Sequence, residues 1–143
     1  MPSRPGCRPG ETDGMELRLL TGELCVCRLP RDAPWPMAPA GTGLFSVTRT
    51  HAEVSVVCSP HDAPVGARTE PGWRALEVAG PLDFSLVGIL SSLMQPLASA
   101  GISVFAVSTF DTDYVLLRSG ALDAAIGALR QAGHHVHDAV PSA

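Results

Sequence analysis

The sequence predicts an α+β fold in which two helices cover one face of an antiparallel sheet, preceded by a helix-poor half. Three observations lead there. Residues 73–138 alternate between strand-like and helix-like apolar periodicity in the order β-α-β-β-α-β. Two stretches rich in Pro and Gly, 30–43 and 59–72, interrupt the first half between β-branched runs. The chain has 143 residues, 45% hydrophobic and 17% charged, enough for one ordinary domain or two very small ones.

The elements follow in order. Met1 to Gly14 holds three Pro and three Gly with almost no apolar residues, and is expected to be a disordered tail. Residues 16–29 hold two short apolar runs divided by Gly22, the second of which is apolar on both faces, as in a buried strand. Residues 30–43 carry four Pro, which excludes a regular helix, and Trp35 is expected to plug an apolar gap there. The runs 44–49 and 53–58 read as an antiparallel hairpin.

In the second half, Trp73 to Val78 reads as a strand. A helix is expected from Phe84 to Ala100, with Asp83 or Ser85 as N-cap, Gly101 past its end and a kink at Pro96. Strands are expected at 102–107 and 113–118. A second helix spans 120–132, capped by Ser119, and a last strand spans 135–138. This order is the split βαβ, ferredoxin-like arrangement. The first half has strands in comparable places with loops for helices, and reads as a degenerate copy. The expected division is a tail at 1–14, a degenerate half at 15–70 and an intact unit at 71–140.

Charge and composition exclude several functions. The net charge of −4 argues against a phosphate-binding surface. All ten basic residues are Arg, so no Lys can form a Schiff base or serve a phosphate loop. No apolar run approaches the roughly 20 residues of a membrane-spanning helix, and the N-terminal residues have no apolar signal core. A cytoplasmic protein is expected. Cys25 and Cys27 share one face of a strand, as do His135 and His137, but the pairs lie in different halves without C-x-x-C spacing. They read as buried thiols and a polar edge strand, so no metal and no cofactor is expected. Ser108 and the C-terminal His residues lack a nucleophile-elbow context, and no enzyme activity is expected.

Residues 72–117 resemble the ACT-domain family. The stretch ISVFAVSTFDTDYVLL at 102–117 is the most specific, PLDFSLVGIL at 81–90 is the second block, and the hairpin FSVTRTHAEVSVVC matches more weakly. Within the family, the resemblance is to small bacterial tandem-ACT proteins related to the CASTOR arginine sensors. It implies a ferredoxin-like module that binds a free amino acid at an interface between two units, without chemistry. It implies a dimer, since two chains with two units each assemble four. Carried over by position, it marks Thr109, Phe110 and Asp113, and from the strand–helix loop Ser85, Leu86, Val87 and Gly88, as ligand-binding. It suggests arginine, but this chain has at most two units where the sensors have four, so the ligand does not carry over.

The same residues have a physical reading. Asp111 or Asp113 can take an α-ammonium by a charge-assisted bond, and backbone N–H groups at a helix start can take the α-carboxylate. Phe110 can wall the pocket, and Gly88 can admit a ligand or a second backbone. Each also has a plainer reading: Thr109–Thr112 as a self-bonded turn, Gly88 as close helix–sheet packing, Asp83 and Ser85 as caps. For the whole protein, the competing function is a dimerisation or protein-interaction module without a ligand.

Overall fold

The computed structural model describes residues 14–39, 43–79 and 88–140. They form eight strands and two helices: β1 (Glu16–Leu20), β2 (Leu24–Pro30), β3 (Ser46–Arg49), β4 (Glu53–Cys58), β5 (Arg68–Val78), α1 (Ile89–Ser99), β6 (Val104–Ser108), β7 (Asp113–Arg118), α2 (Leu122–Gln131) and β8 (His135–Val140). Short 3-10 turns occupy Pro60–Asp62 and Ser119–Ala121. The architecture is the expected ferredoxin-like α+β fold. None of these helices is long and apolar enough to cross a membrane.

All eight strands join one sheet, and β5 is its spine. Its first residues pair with β2 and its last with β1 along the same edge, while β7 pairs with Trp73–Glu77 along the other. In the first half the order is β3-β4-β2-β5, all antiparallel. In the second half β6-β7-β5 continues to β1 and then β8. Strand β1, from the first half of the sequence, therefore inserts between β5 and β8, antiparallel to one and parallel to the other. The short apolar run at Glu16–Leu20 carries no information in sequence about these partners.

The expected strand start at Trp73 moves back to Arg68. Pro71 and Gly72 lie inside β5, where its register with β2 shifts between Leu24–Trp73 and Val26–Glu70. Pro71 and Gly72 of β5 stand opposite Cys25 of β2 alone, a bulge that accommodates a proline without N–H and a glycine at φ +82°. Arg118 covers this bulge. It donates to the Pro71 carbonyl at 3.0 Å and stacks over the Trp73 ring at 4.1 Å.

The largest core lies between the sheet and the helices. Leu93 and Leu97 of α1 and Leu122, Ala125 and Leu129 of α2 pack on Leu17, Leu76, Val78, Val115 and Leu117. On the same side of the first half, Leu29, Val54, Val56 and three cysteines are covered by loop residues Ala33, Phe45, Ala63 and Ala67. Proline-rich loops there do the covering that helices do in the second half. On the opposite face Trp73 meets Phe105 edge-on, centroids 6.1 Å apart, over Leu24, Val57 and Leu116. Trp35 plugs no gap: it is 53% exposed and lies under the Arg49 guanidinium at 5.3 Å.

Both helices end through a left-handed glycine. Gly101 and Gly133 have φ +70° and +97°, and the next residue bonds five back: Ile102 N–H to Leu97 O and His134 N–H to Leu129 O. Ile102 is thus spent on the cap, which is why β6 starts at Val104 rather than 102. The caps expected at Asp83 and Ser85 lie outside the described residues. Ser119 is not the cap of α2 but opens a 3-10 turn before it, and Ala121 stands at the N-cap without a side-chain bond.

Pro96 lies inside α1 and has no N–H for the carbonyl of Ser92, four residues back. His134 takes that carbonyl with Nε2 at 3.1 Å. Its Nδ1 accepts the Met15 N–H at 2.9 Å. These partners fix a neutral ring protonated on Nε2. One buried histidine thereby ties α1, the residue before β1 and the end of α2 together.

Candidate functional site

Of the expected ligand residues, Thr109, Phe110 and Asp113 lie at the turn joining β6 to β7. Thr109 N–H donates to Thr112 O at 2.8 Å, and the Thr109 hydroxyl donates to the same carbonyl at 3.1 Å. In return Thr112 N–H donates to Thr109 Oγ1 at 3.2 Å. The buried Thr112 hydroxyl donates to Val78 O, the last residue of β5, at 2.6 Å. The turn is therefore closed on itself and pinned to the sheet's central strand.

That geometry decides what each residue offers. Phe110 stands at the tip, 80% exposed. Asp113 begins β7 opposite Ser108, whose hydroxyl donates to its carboxylate at 2.5 Å. A carboxylate accepts several donors, so this bond orients Asp113 and leaves capacity for an ammonium. Next to it, Tyr114 is half-buried; burial first, and then the charge of Glu77, raise its hydroxyl above the ordinary range.

Gly88 opens α1 at φ +79°, a left-handed conformation that suits glycine. Among the described residues a Cβ there would meet nothing within 4 Å, so the backbone conformation calls for glycine. Ser85, Leu86 and Val87 lie outside the described residues.

A cleft adjoins this turn at Ser108. The curved sheet brings Ser46 and Thr48 of β3 and Ser55 and Val57 of β4 to face Phe105–Ser108 of β6 across a cleft of about 180 Å³. Its lining mixes hydroxyls with apolar side chains, and Ser108 belongs both to it and to the turn.

The described residues that can hold a metal are Cys25, Cys27 and Cys58. The sequence paired the first two. Cys58 joins them because β2 and β4 set Cys25 directly opposite Cys58. The His pair joins no such cluster: His135 is exposed, and His137 Nε2 bonds Glu16 at 2.5 Å. Burial pushes the Cys25 thiol up to about 11 and raises Cys58 as well. Metal-free, these thiols are poor nucleophiles.

A family model described as an ACT domain matches residues 68–131, and a second model, described as an N-terminal domain, matches residues 22–65. The human cytosolic arginine sensor for mTORC1 subunit 1 is 27% identical over 101 residues, covering 65% of this chain and 31% of the sensor. The Bos taurus sensor is 32% identical over 73 residues, 50% of this chain and 22% of that protein. The chain thus spans about a third or less of these relatives. The structure of protein Atu0741 from Agrobacterium tumefaciens superposes with a TM-score of 0.83 at 36% identity, covering 90% of this chain and 96% of that one. The regulatory subunit of aspartate kinase from Thermus thermophilus shares the fold, at TM-score 0.58 and 14% identity over 81% of this chain and 95% of that one.

Proposed function

The chain carries an ACT domain at residues 68–131, and from that premise we propose that it is a non-catalytic regulatory module that senses a free amino acid at an interface between ACT units. The observation that carries the reading is the turn at 109–112. It is held rigid by its own bonds and by Thr112 on Val78, and it sets Asp113 and Phe110 at one end of the sheet. A rigid turn loses little freedom on binding, as a recognition element requires.

In this reading the Asp113 carboxylate takes the ligand's ammonium, Phe110 and Thr109 line the side-chain space, and Gly88 at the start of α1, with Ser85, Leu86 and Val87 before it in sequence, takes the carboxylate. The facing wall comes from a second unit, so the working form is a homodimer. Kinship with proteins named arginine sensors makes arginine the first ligand to try, and a cytoplasmic setting goes with it. Binding acts by favouring one arrangement of units over another, to the extent that affinity differs between them.

The test is a thermal-shift screen against the twenty amino acids, followed by calorimetry on Asp113→Ala. A ligand at about 100 times its Kd stabilises the folded state by about 2.7 kcal/mol. For a chain of this size that is roughly 5–10 °C. One amino acid, or one chemical group of them, is expected to give that shift, and Asp113→Ala to lose it while keeping its own melting temperature. A dimer in sedimentation with no shift from any amino acid would instead identify an interaction module.

A further inference from the structure

The first half of the chain holds a second candidate site that the proposed sensing role does not use. Three of the chain's four cysteines sit in one core cluster of six buried residues, so half of that core is thiol. Cys25 and Cys27 project from the same face of β2, and Cys58 faces Cys25 from β4. The Cys25 Sγ lies 3.6 Å from that of Cys27 and 3.7 Å from that of Cys58, and all three sulfurs lie within 4.8 Å of one another. A metal–thiolate bond of about 2.3 Å places sulfurs about 3.8 Å apart in tetrahedral geometry and about 4.0 Å apart in trigonal geometry. The two separations at Cys25 need to open by only a few tenths of an ångström.

One contact at the cluster favours a thiolate, as metal binding requires. The Thr69 hydroxyl donates to Cys27 Sγ at 3.6 Å, a contact that supports negative charge on the sulfur. The thiol of Cys25 points at the carbonyls of Cys58 and Ser59, at 3.5 and 3.8 Å, acceptors that favour the protonated form until a metal displaces the proton. Side chains so placed are held by two paired strands, so little reorganisation attends binding. Among the described residues no His or carboxylate joins the three sulfurs.

We propose that Cys25, Cys27 and Cys58 form a buried three-thiolate site for a soft, thiophilic metal ion of the Cu(I) class. Thiolate softness selects Cu(I) and Zn2+ over hard cations. A structural Zn2+ site takes four protein ligands, whereas three sulfurs satisfy Cu(I). Binding forms three metal–sulfur bonds and releases the three thiol protons to solvent, with no change of oxidation state. The site lies in the half covered by proline-rich loops, where a bound ion ties β2 to β4 and supplements a small core.

The test uses the full chain, reduced, chelator-stripped and kept anaerobic. Cu(I) is presented in a coloured chelator complex, and transfer to the protein is read from the loss of colour. About one equivalent is expected to transfer, with protons released in proportion. Valine at position 25, 27 or 58 preserves an apolar fill beside Val54 and Val56, and each such variant is expected to lose at least tenfold in affinity. Cys7→Ser, the remaining cysteine, is expected to bind like the parent. Uptake by Cys58→Val equal to the parent's overturns the proposal, and so does loss of uptake in Cys7→Ser. If a valine variant does not fold, the parent decides alone: one equivalent of Cu(I), and not of Zn2+, is expected to raise its melting temperature. No rise overturns the site.

Discussion

His134 stands in for a hydrogen bond that Pro96 removes, and this makes a quantitative prediction. Replacing His134 by Phe keeps an aromatic ring in a buried position and deletes both ring nitrogens. The Ser92 carbonyl and the Met15 N–H each lose their partner. A buried polar group left unsatisfied costs about 1–3 kcal/mol. Both bonds are only partly buried, so the lower half of that range applies, and His134→Phe is expected to cost about 2–4 kcal/mol. At roughly 4 °C per kcal/mol for a chain of this length, the melting temperature falls by about 8–16 °C. The informative step is the same substitution in a Pro96→Ala background. Alanine restores an N–H at position 96, which can bond Ser92 O along the helix. In that background the loss of His134 orphans only Met15, and its cost shrinks by about 1–2 kcal/mol. Denaturant unfolding of the four proteins, followed by far-UV circular dichroism, closes the cycle. If the two substitutions add to within about 0.5 kcal/mol, His134 is not compensating Pro96 and the reasoning is refuted.

Three further outcomes are expected. Thr112→Val removes the buried hydroxyl from Val78 O and is expected to cost about 1–3 kcal/mol, with faster amide exchange at Thr109 and Thr112 as the turn loosens; unchanged exchange would refute the pinning. Gly88→Ala is expected to destabilise by about 1–2 kcal/mol although the space is open, because φ +79° disfavours an L side chain; an unchanged denaturation midpoint would show that α1 starts without that conformation. The Glu16 carboxyl is held below its ordinary 4.5, first by its hydrogen bond with His137. Its contribution is therefore present above pH 4.5 and lost as pH falls through the lower folded value. Glu16→Gln should flatten that part of the acid denaturation curve, and an unaltered curve would show that the contact is not maintained in solution.

Much of this fold was legible from residue pattern alone. Leu93 and Leu97, and Leu122, Ala125 and Leu129, stand at helical spacing, and both helix stripes face the core. Strand β7 falls where its β-branched and apolar run predicts. What pattern conceals is pairing. Nothing in Glu16–Leu20 says that it lies between β5 and β8, and nothing local to Cys58 says that β4 sets it across from Cys25. Turn signals mislead in one place: Pro71–Gly72 reads as a break, yet a bulge absorbs both within β5. At the candidate site, the self-bonded turn at 109–112 and the exposed Phe110 at its tip have the plainer reading built into them. A turn that bonds itself is also one that can hold a recognition surface still. His134 escaped notice because its role depends on a proline 38 positions earlier, a relation that exists only once α1 and α2 have docked.

The insertion of β1 between β5 and β8 bears on how the chain can be divided. A fragment beginning at residue 71 would carry both helices and four strands but leave a gap in its own sheet. Strands β5 and β8 would each bare a row of N–H and C=O groups where β1 had been. Such edges recruit any free strand, including another copy of the fragment. Excision at the apparent midpoint of the sequence is thus expected to yield an aggregating polypeptide, and the same fragment given Met15–Leu20 in trans, a soluble one. The two halves look like repeats, but they share ownership of a sheet and must fold, and be inherited, as a single piece.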